Sequence, residues 1–307
     1  MKTAYLAINY ICNENCKYCP CSKQEKTIQN TTSLNELIRS VDVFWEKGVE
    51  RIVISGGEPT LHPNFAVLVS YIQEKGMSVI VLSNSERFAS KQFVSDLVQR
   101  IKVDDISVIT TIHSQKKEEH EAANQTPGSF DNTIFGIQNI ISADINVIIK
   151  HCVTRDNYQD LSDFYKAMDR LFPETVSFQL CSIDYCGIPE DVMDSEMLSF
   201  LEIKPYLEEM FDVHLQSVRN GSKRHLYCIN FPLCSCDVCY WDLIKKRWEN
   251  PYQLYKDPKK ESVQAGQNNV GPMAEVCKEC IARDICPGTY LSAFHYFGDA
   301  IVRPYKR

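Results

Sequence analysis

The sequence has no apolar run near the roughly 18 residues that a membrane-spanning helix needs, so a helical membrane protein is not expected. It shows no secretion signal either, because the apolar stretch at its start is brief and leads straight into Cys12. Positive charge is in deficit: 33 Lys and Arg stand against 40 Asp and Glu, for a formal net charge of −7. That balance gives no general reason to expect nucleic acid or another polyanion as a partner. Internal repeats and low-complexity segments are missing as well, which excludes a repeat array.

What the chain has in excess is cysteine, fourteen in 307 residues. In the reducing cytoplasm that the missing signal implies, closely spaced cysteines are metal ligands before they are disulfides. The 44% hydrophobic and 24% charged fractions describe a soluble globular chain, long enough for one large or two ordinary domains.

The first cysteine cluster is Cys12-Asn-Glu-Asn-Cys16-Lys-Tyr-Cys19-Pro20, directly after the apolar run Ala4 to Ile11. Three sulfurs on one tight loop can converge on one centre, and thiolates select zinc, copper(I) or iron–sulfur. A closed site wants four ligands. Here there are three, since Cys21 stands too close to Cys19 for the ferredoxin spacing. A cubane held by three thiolates leaves one iron open to an exchangeable ligand.

Taken in order, the chain alternates strands with helices. Ser33 and Glu36 make a capping box before a helix whose apolar positions, Leu34 to Trp45, recur at helical spacing up to Gly48. Arg51 to Ile54 is a β-branched strand delivering Ser55-Gly56-Gly57-Glu58-Pro59. Helices are expected at 63–75, 89–101, 130–142, 157–172 and 196–211, and strands at 77–82, 106–112, 146–153 and 175–180. The stretch from Ser114 to Gly128 reads as a loop. Six strands alternating with helices call for βαβ units and a parallel sheet. Beyond Asn220 the periodicity weakens, and seven cysteines (Cys228, Cys234, Cys236, Cys239, Cys277, Cys280 and Cys286) suggest a small domain folded around metal. The cysteine-free stretch from Trp241 to Gly271 reads as a polar surface excursion.

Cys12-x3-Cys16-x2-Cys19 and Ser55-Gly56-Gly57-Glu58-Pro59, in that order and each at a strand end, resemble the two signature motifs of the radical S-adenosylmethionine (SAM) superfamily over roughly residues 1 to 215. The resemblance implies a partial (β/α)6 parallel barrel over 1–218, with its chemistry at the C-terminal ends of the strands. It implies that Cys12, Cys16 and Cys19 hold a [4Fe–4S] cluster whose fourth iron chelates SAM. Gly56, Gly57, Glu58 and Pro59 would meet the methionine end of SAM, with glycine allowing close backbone approach. Tyr18 would lie beside adenine, and Asn84, His113 and Ser114 are candidates for ribose and carboxylate. An electron donor of flavodoxin or ferredoxin type is implied as a partner. A structural zinc loop beside an unrelated glycine turn is the plainer alternative.

Cys277-x2-Cys280-x5-Cys286-Pro287-Gly288 resembles the auxiliary-cluster segment of the SPASM/Twitch subgroup, which gives a second domain over 219–307. Cys234, Cys277, Cys280 and Cys286 are the expected ligands of an auxiliary [4Fe–4S] cluster. The full SPASM pattern has a further cysteine where this chain has Tyr290, so a complete second auxiliary cluster is not expected. Cys228, Cys236 and Cys239 remain as ligands of an incomplete one, and Cys236-x2-Cys239 with Cys277-x2-Cys280 would also suit a zinc ribbon. Cys152, Cys181 and Cys186 read first as small buried hydrophobes. Cys152 and Cys181 nevertheless fall at strand ends, where one would donate hydrogen to a substrate radical or bond with it. Lys150 and Gln179 lie near the same end, and His225 and His295 read as ordinary histidines.

The subgroup resemblance implies modification of a peptide or protein side chain by oxidation, crosslinking or epimerisation. The barrel begins almost at Met1, so no N-terminal peptide-recognition domain is expected. A small molecule, such as a sugar or cofactor precursor, is the alternative substrate. A non-catalytic electron carrier or zinc-stabilised module is the alternative class.

Overall fold

The computed structural model describes residues 1–19, 31–185, 193, 195–247, 252–256, 262–265 and 273–306. Cys21 and Cys186 lie outside the described residues. The β-branched and aliphatic runs form strands: β1 (Thr3–Asn9), β2 (Arg51–Gly56), β3 (Ser78–Ser83), β4 (Ile106–Thr111), β5 (Asn146–Val153), β6 (Ser177–Ser182), β7 (Leu226–Ile229), β8 (Tyr252–Lys256) and β9 (Gln264–Ala265). The main helices are α1 (Leu34–Glu46), α2 (Phe65–Glu74), α3 (Lys91–Val98), α4 (Lys117–Asn124), α5 (Ser129–Ser142), α6 (Leu161–Leu171), α7 (Phe200–Arg219) and α8 (Leu291–Phe297). Strand and helix alternate from β1 to β6, giving the parallel α/β arrangement of a partial (β/α)6 barrel. Among the described residues no helix is long and apolar enough to cross a membrane.

The chain divides into two compact units, and β5 passes from one to the other after Ile149. The first comprises residues 1–112, 117–149 and the described part of 251–268. Its strand order is β5-β4-β3-β2-β1-β8-β9, with β1 parallel to β2 and β8, β3 parallel to β2 and β4, and the short β9 antiparallel to β8. Fully buried Leu6, Ile8, Ile52 and Ile54 come from β1 and β2, and Phe44 and Phe65 from α1 and α2. Burying a side chain of this size is worth roughly 1.5–3 kcal/mol. α1 starts where the sequence places it, with Ser33 and Glu36 closing the capping box.

The second unit comprises residues 113–116, 150–250 and the described part of 269–307. Here the order is β5-β6-β7, and β6 pairs in parallel with β7, Gln179 opposite Tyr227 and Cys181 opposite Ile229. Phe178, Phe211, Phe231 and Tyr165 are its largest buried side chains. Arg224 is buried with them, paired to Asp169 at 2.6 Å and donating to the carbonyls of Phe172, Pro173 and Val176.

Three expectations are corrected. The supposed loop from Ser114 to Gly128 contains α4, whose polar sequence hides a helix held by buried His120, Ala123 and Asn124. The expected helix 196–211 instead starts at Phe200, behind a Ser199/Glu202 capping box, and continues past Pro205 to Arg219. The supposed surface excursion contains β8, which pairs with β1 and sets Tyr255 against Tyr5 with ring centroids 5.6 Å apart. Its partner strand lies some 250 positions earlier in sequence, out of reach of any local pattern.

Candidate active site

In the first unit, the loop after β1 is strapped down on two sides. Asn15 and Lys17 donate backbone N–H groups to Asn124 and Ala123 at the end of α4, at 3.0 and 2.9 Å. Asn15 also bonds Gln125 at 2.7 Å, and Asn124 donates to the buried Glu14 carboxylate at 2.9 Å. On the other side Asn13 donates to Glu86 at 2.5 Å and accepts from Asn84 at 2.9 Å. This bracing leaves Cys12, Cys16 and Cys19 half-buried on one turn, with Tyr18 half-buried among them.

Burial pushes the Cys16 thiol far up, with Glu14 and the neighbouring Cys19 and Cys12 adding to it. Burial likewise raises the Glu14 carboxyl to about 7. Clustered anions in a site of low polarity call for a cation. No three of the described cysteine sulfurs lie within 4.8 Å of one another. One tetrahedral zinc would hold its thiolates closer, under about 4 Å apart at its usual bond length. The spacing therefore suits a polynuclear cluster, in which each thiolate binds a different iron.

The glycine-rich turn packs directly on this loop. Gly57 and Glu58 donate backbone N–H groups to Asn9 and Ile11 at 2.8 and 2.7 Å. A β-carbon on Gly56 would fall on the Asn9 carbonyl and one on Gly57 on the Ile11 carbonyl, and Gly56 has φ +138°. The glycines thus let two loops touch, a role that the sequence reading assigned to cofactor approach alone. Glu58 is held at the same junction. Its buried carboxylate accepts from Thr60 N (2.9 Å), Thr60 Oγ1 (2.6 Å), Ser83 Oγ (2.9 Å) and Asn84 N (2.8 Å). It braces the ends of β2 and β3. Pro59 opens the buried 3-10 turn Pro59–Leu61, and the Asn84 amide is spent on Asn13 and Glu86.

In the second unit, His113 and Ser114 follow β4, and Cys152 and Cys181 sit near the ends of β5 and β6. One side chain missed at the sequence level orders this region. Asn157 donates to the carbonyls of His113 (3.0 Å) and Cys152 (2.9 Å) and accepts from Thr154 N (2.8 Å). Its sequence signal was only that of a helix start. Cys181 is buried, within hydrogen-bonding reach of Cys152, and receives the Asn230 amide at 3.5 Å.

Further along the same unit, Cys234, Cys277, Cys280 and Cys286 line one small cavity with Leu233 and Phe294. Backbone N–H groups of Leu233 and Gly288 point at Cys286 Sγ from 3.4 and 3.5 Å. Burial pushes Cys234 up to about 12 and raises Cys277 and Cys286. Cys228, Cys236 and Cys239 are not gathered there. Cys228 is buried in β7 and Cys236 in the following segment, whereas Cys239 is exposed. Of the four cysteines of the zinc-ribbon alternative, Cys277 and Cys280 line this cavity and Cys236 and Cys239 do not.

The radical SAM superfamily model matches residues 6–168, just over half the chain. The chain belongs to the radical SAM superfamily. Its cofactors are those of the superfamily, a [4Fe–4S] cluster and SAM, and the thiol spacing and cation-seeking loop described above fit the cluster. Among curated relatives of this radical SAM protein is the AdoMet-dependent heme synthase of Nitratidesulfovibrio vulgaris, 26% identical over 52% of this chain and 42% of that protein. Another is the antilisterial bacteriocin subtilosin biosynthesis protein AlbA of Bacillus subtilis, 23% identical over 73% of this chain and 50% of that one. The chain spans half or less of the length of these relatives. Streptococcus suis SuiB bound to precursor peptide SuiA has the same fold, with a TM-score of 0.67 at 12% identity over 99% of this chain and 75% of that one.

Proposed function

We propose that this chain is a radical SAM enzyme that removes a hydrogen atom from a peptide or protein side chain. The observation that carries it is the contact between two loops: three half-buried thiols on one turn, locked to Gly56-Gly57-Glu58. In this reading Cys12, Cys16 and Cys19 hold the cluster, and the Asn9–Ile11 and Gly56–Glu58 backbones shape the place for the methionine end of SAM. Tyr18, Asn84, His113 and Ser114 contribute around the rest of SAM. When bound, cluster and SAM together supply a 5′-deoxyadenosyl radical once an electron arrives from a flavodoxin- or ferredoxin-type donor. Glu58, Asn84 and Asn13 tie the loops to one another, and Asn157 does the same for the ends at His113 and Cys152.

A peptide substrate is supported by the likeness to AlbA and by the SuiA peptide seen on SuiB. The heme synthase relatives favour a small molecule as the second reading. In the C-terminal cavity, Cys234, Cys277, Cys280 and Cys286 would hold an auxiliary [4Fe–4S] cluster, for electron transfer or substrate binding. Iron and sulfide content of anaerobically purified protein tests both sites. About eight irons, falling to about four in a Cys12→Ala/Cys16→Ala/Cys19→Ala variant, supports the reading on four-iron stoichiometry. Absence of 5′-deoxyadenosine from reduced, reconstituted enzyme given SAM would sink it.

A further inference from the structure

The cavity of the C-terminal cysteines is walled from three separate stretches of the second unit. Cys234 comes from the segment after β7, and Cys277, Cys280 and Cys286 from residues 277–286. Val302, Pro304 and Tyr305 add the third wall. This last stretch is tied to both cysteine arms. The Arg303 backbone N–H bonds the Cys234 sulfur. Just after Cys280, the Ile281 N–H donates to the Tyr305 carbonyl at 2.9 Å. On the other arm, the Tyr305 hydroxyl donates to the Cys236 carbonyl oxygen at 2.8 Å. The Tyr305 ring meets Trp241 edge to face, with centroids 5.5 Å apart and planes at 75°. Trp241 is itself fixed, because its Nε1–H donates to Leu233 O at 2.9 Å, and the Leu233 N–H points at Cys286 Sγ.

We propose that residues 302–305 form a strap over the auxiliary cysteines, locked by Tyr305 against Trp241 and Cys236, which keeps water and dissolved ligands from a cluster bound there. The inference rests on the auxiliary-cluster reading above. Tyr305 acts through the strap that it holds, so it is a positioning residue. Ile301 and Val302 are buried and anchor the start of the strap. Pro304 has a fixed φ and no N–H, so it stiffens the strap without bringing an unpaired donor to the cavity wall. Arg303 leaves its side chain exposed and contributes only its backbone N–H.

Hydrogen bonds to sulfur and exposure to solvent are two of the levers that set the potential of an iron–sulfur cluster. Here the sulfurs receive fixed backbone donors, Leu233 and Gly288 on Cys286 and Arg303 on Cys234. The strap puts those donors where water would otherwise stand. Its remaining contact is the Lys306–Glu279 ion pair at 3.1 Å, whose side chains are 66% and 76% exposed and therefore hold little. The lock is thus the tyrosine and not the charge beside it. A site closed in this way favours electron transfer over ligation of substrate at the metal.

Two measurements on the full chain test this, both in the Cys12→Ala/Cys16→Ala/Cys19→Ala background, where only auxiliary iron remains. In the first, reconstituted protein is mixed anaerobically with bathophenanthroline disulfonate and the release of iron is timed. Tyr305→Ala should release iron roughly ten- to a hundredfold faster, because local opening then breaks one hydrogen bond and one aromatic pair fewer. Tyr305→Phe keeps the ring pair and should fall between that variant and the parent, whereas Lys306→Ala should match the parent. In the second, the midpoint potential is read from a redox titration followed by EPR. It should rise in Tyr305→Ala, since water entering the cavity favours the reduced cluster with its extra negative charge. Parental release from Tyr305→Ala, equal acceleration in Lys306→Ala, or a potential that stays or falls overturns the strap alone. If Tyr305→Ala does not load iron, Tyr305→Phe decides, and a parental rate in that variant overturns the strap. Zinc or no metal in the background protein overturns the auxiliary-cluster reading and the strap together.

Discussion

The Gly57 amide donates to the Asn9 carbonyl oxygen at 2.8 Å, and a β-carbon on Gly57 would fall on the Ile11 carbonyl. With the Glu58 N–H bond to Ile11, that contact joins the glycine-rich turn to the segment leading into the cysteine loop. Gly57→Ala should force the loops apart, costing about 1–3 kcal/mol as overpacking does. Iron content after reconstitution should fall with it. Denaturant unfolding and iron analysis check both, and an unchanged variant would show that the contact is dispensable.

Glu58 carries the same junction from the side. Its carboxylate faces four donors and offers acceptors only. Glu58→Gln places an NH2 group against some of those donors, which should cost roughly 1–3 kcal/mol for the unsatisfied bonds. Urea unfolding measures it, and a Glu58→Asp variant with a shorter reach should be destabilised as well.

Arg224 makes a stronger demand on the second unit. Its guanidinium is buried against Phe178 and Asp169 and satisfies three carbonyls after α6. Arg224→Met should cost on the order of 3–5 kcal/mol, because it strands buried partners. A midpoint shift without change in denaturant slope would identify it as a stability effect.

His214 gives a pH dependence with a definite sign. Burial lowers it below its ordinary 6.5, and Tyr165 bonds its Nδ1 at 3.0 Å. The unfolded chain therefore binds more protons than the folded one just below pH 6.5, so stability falls as pH drops through that range. In His214→Gln that part of the slope should vanish, as read from urea midpoints at pH 5.5 and 7.5.

The cavity cysteines separate from their neighbours in the same way. Cys286→Ser should remove auxiliary iron, whereas Cys239→Ser, at an exposed thiol outside the cavity, should leave it. Equal iron loss in both variants would bring Cys239 back as a ligand.

Much of this was legible locally. Cys12, Cys16, Cys19 and Gly56 to Pro59 stand out because their chemistry depends on short spacing along one turn. The alternation from β1 to β6 was legible because burial on both faces of a parallel sheet leaves apolar runs in the sequence. The ends of α7 and the whole of α4 were not. α4 shows few apolar residues, and its stability comes from His120 and Asn124 meeting Glu14 and Ser129.

The sequence by itself therefore determined the superfamily, the two cysteine arrays and the alternation from β1 to β6, all of which rest on residues near one another in the chain. Tertiary structure alone decided which cysteines share a cavity, why both glycines are required, and that Cys152 touches Cys181. It also brought β8 back to β1 and Tyr290 to Cys181. Each of these joins segments tens to hundreds of residues apart. Backbone approach and burial decide them, and neither leaves a periodic trace in the chain.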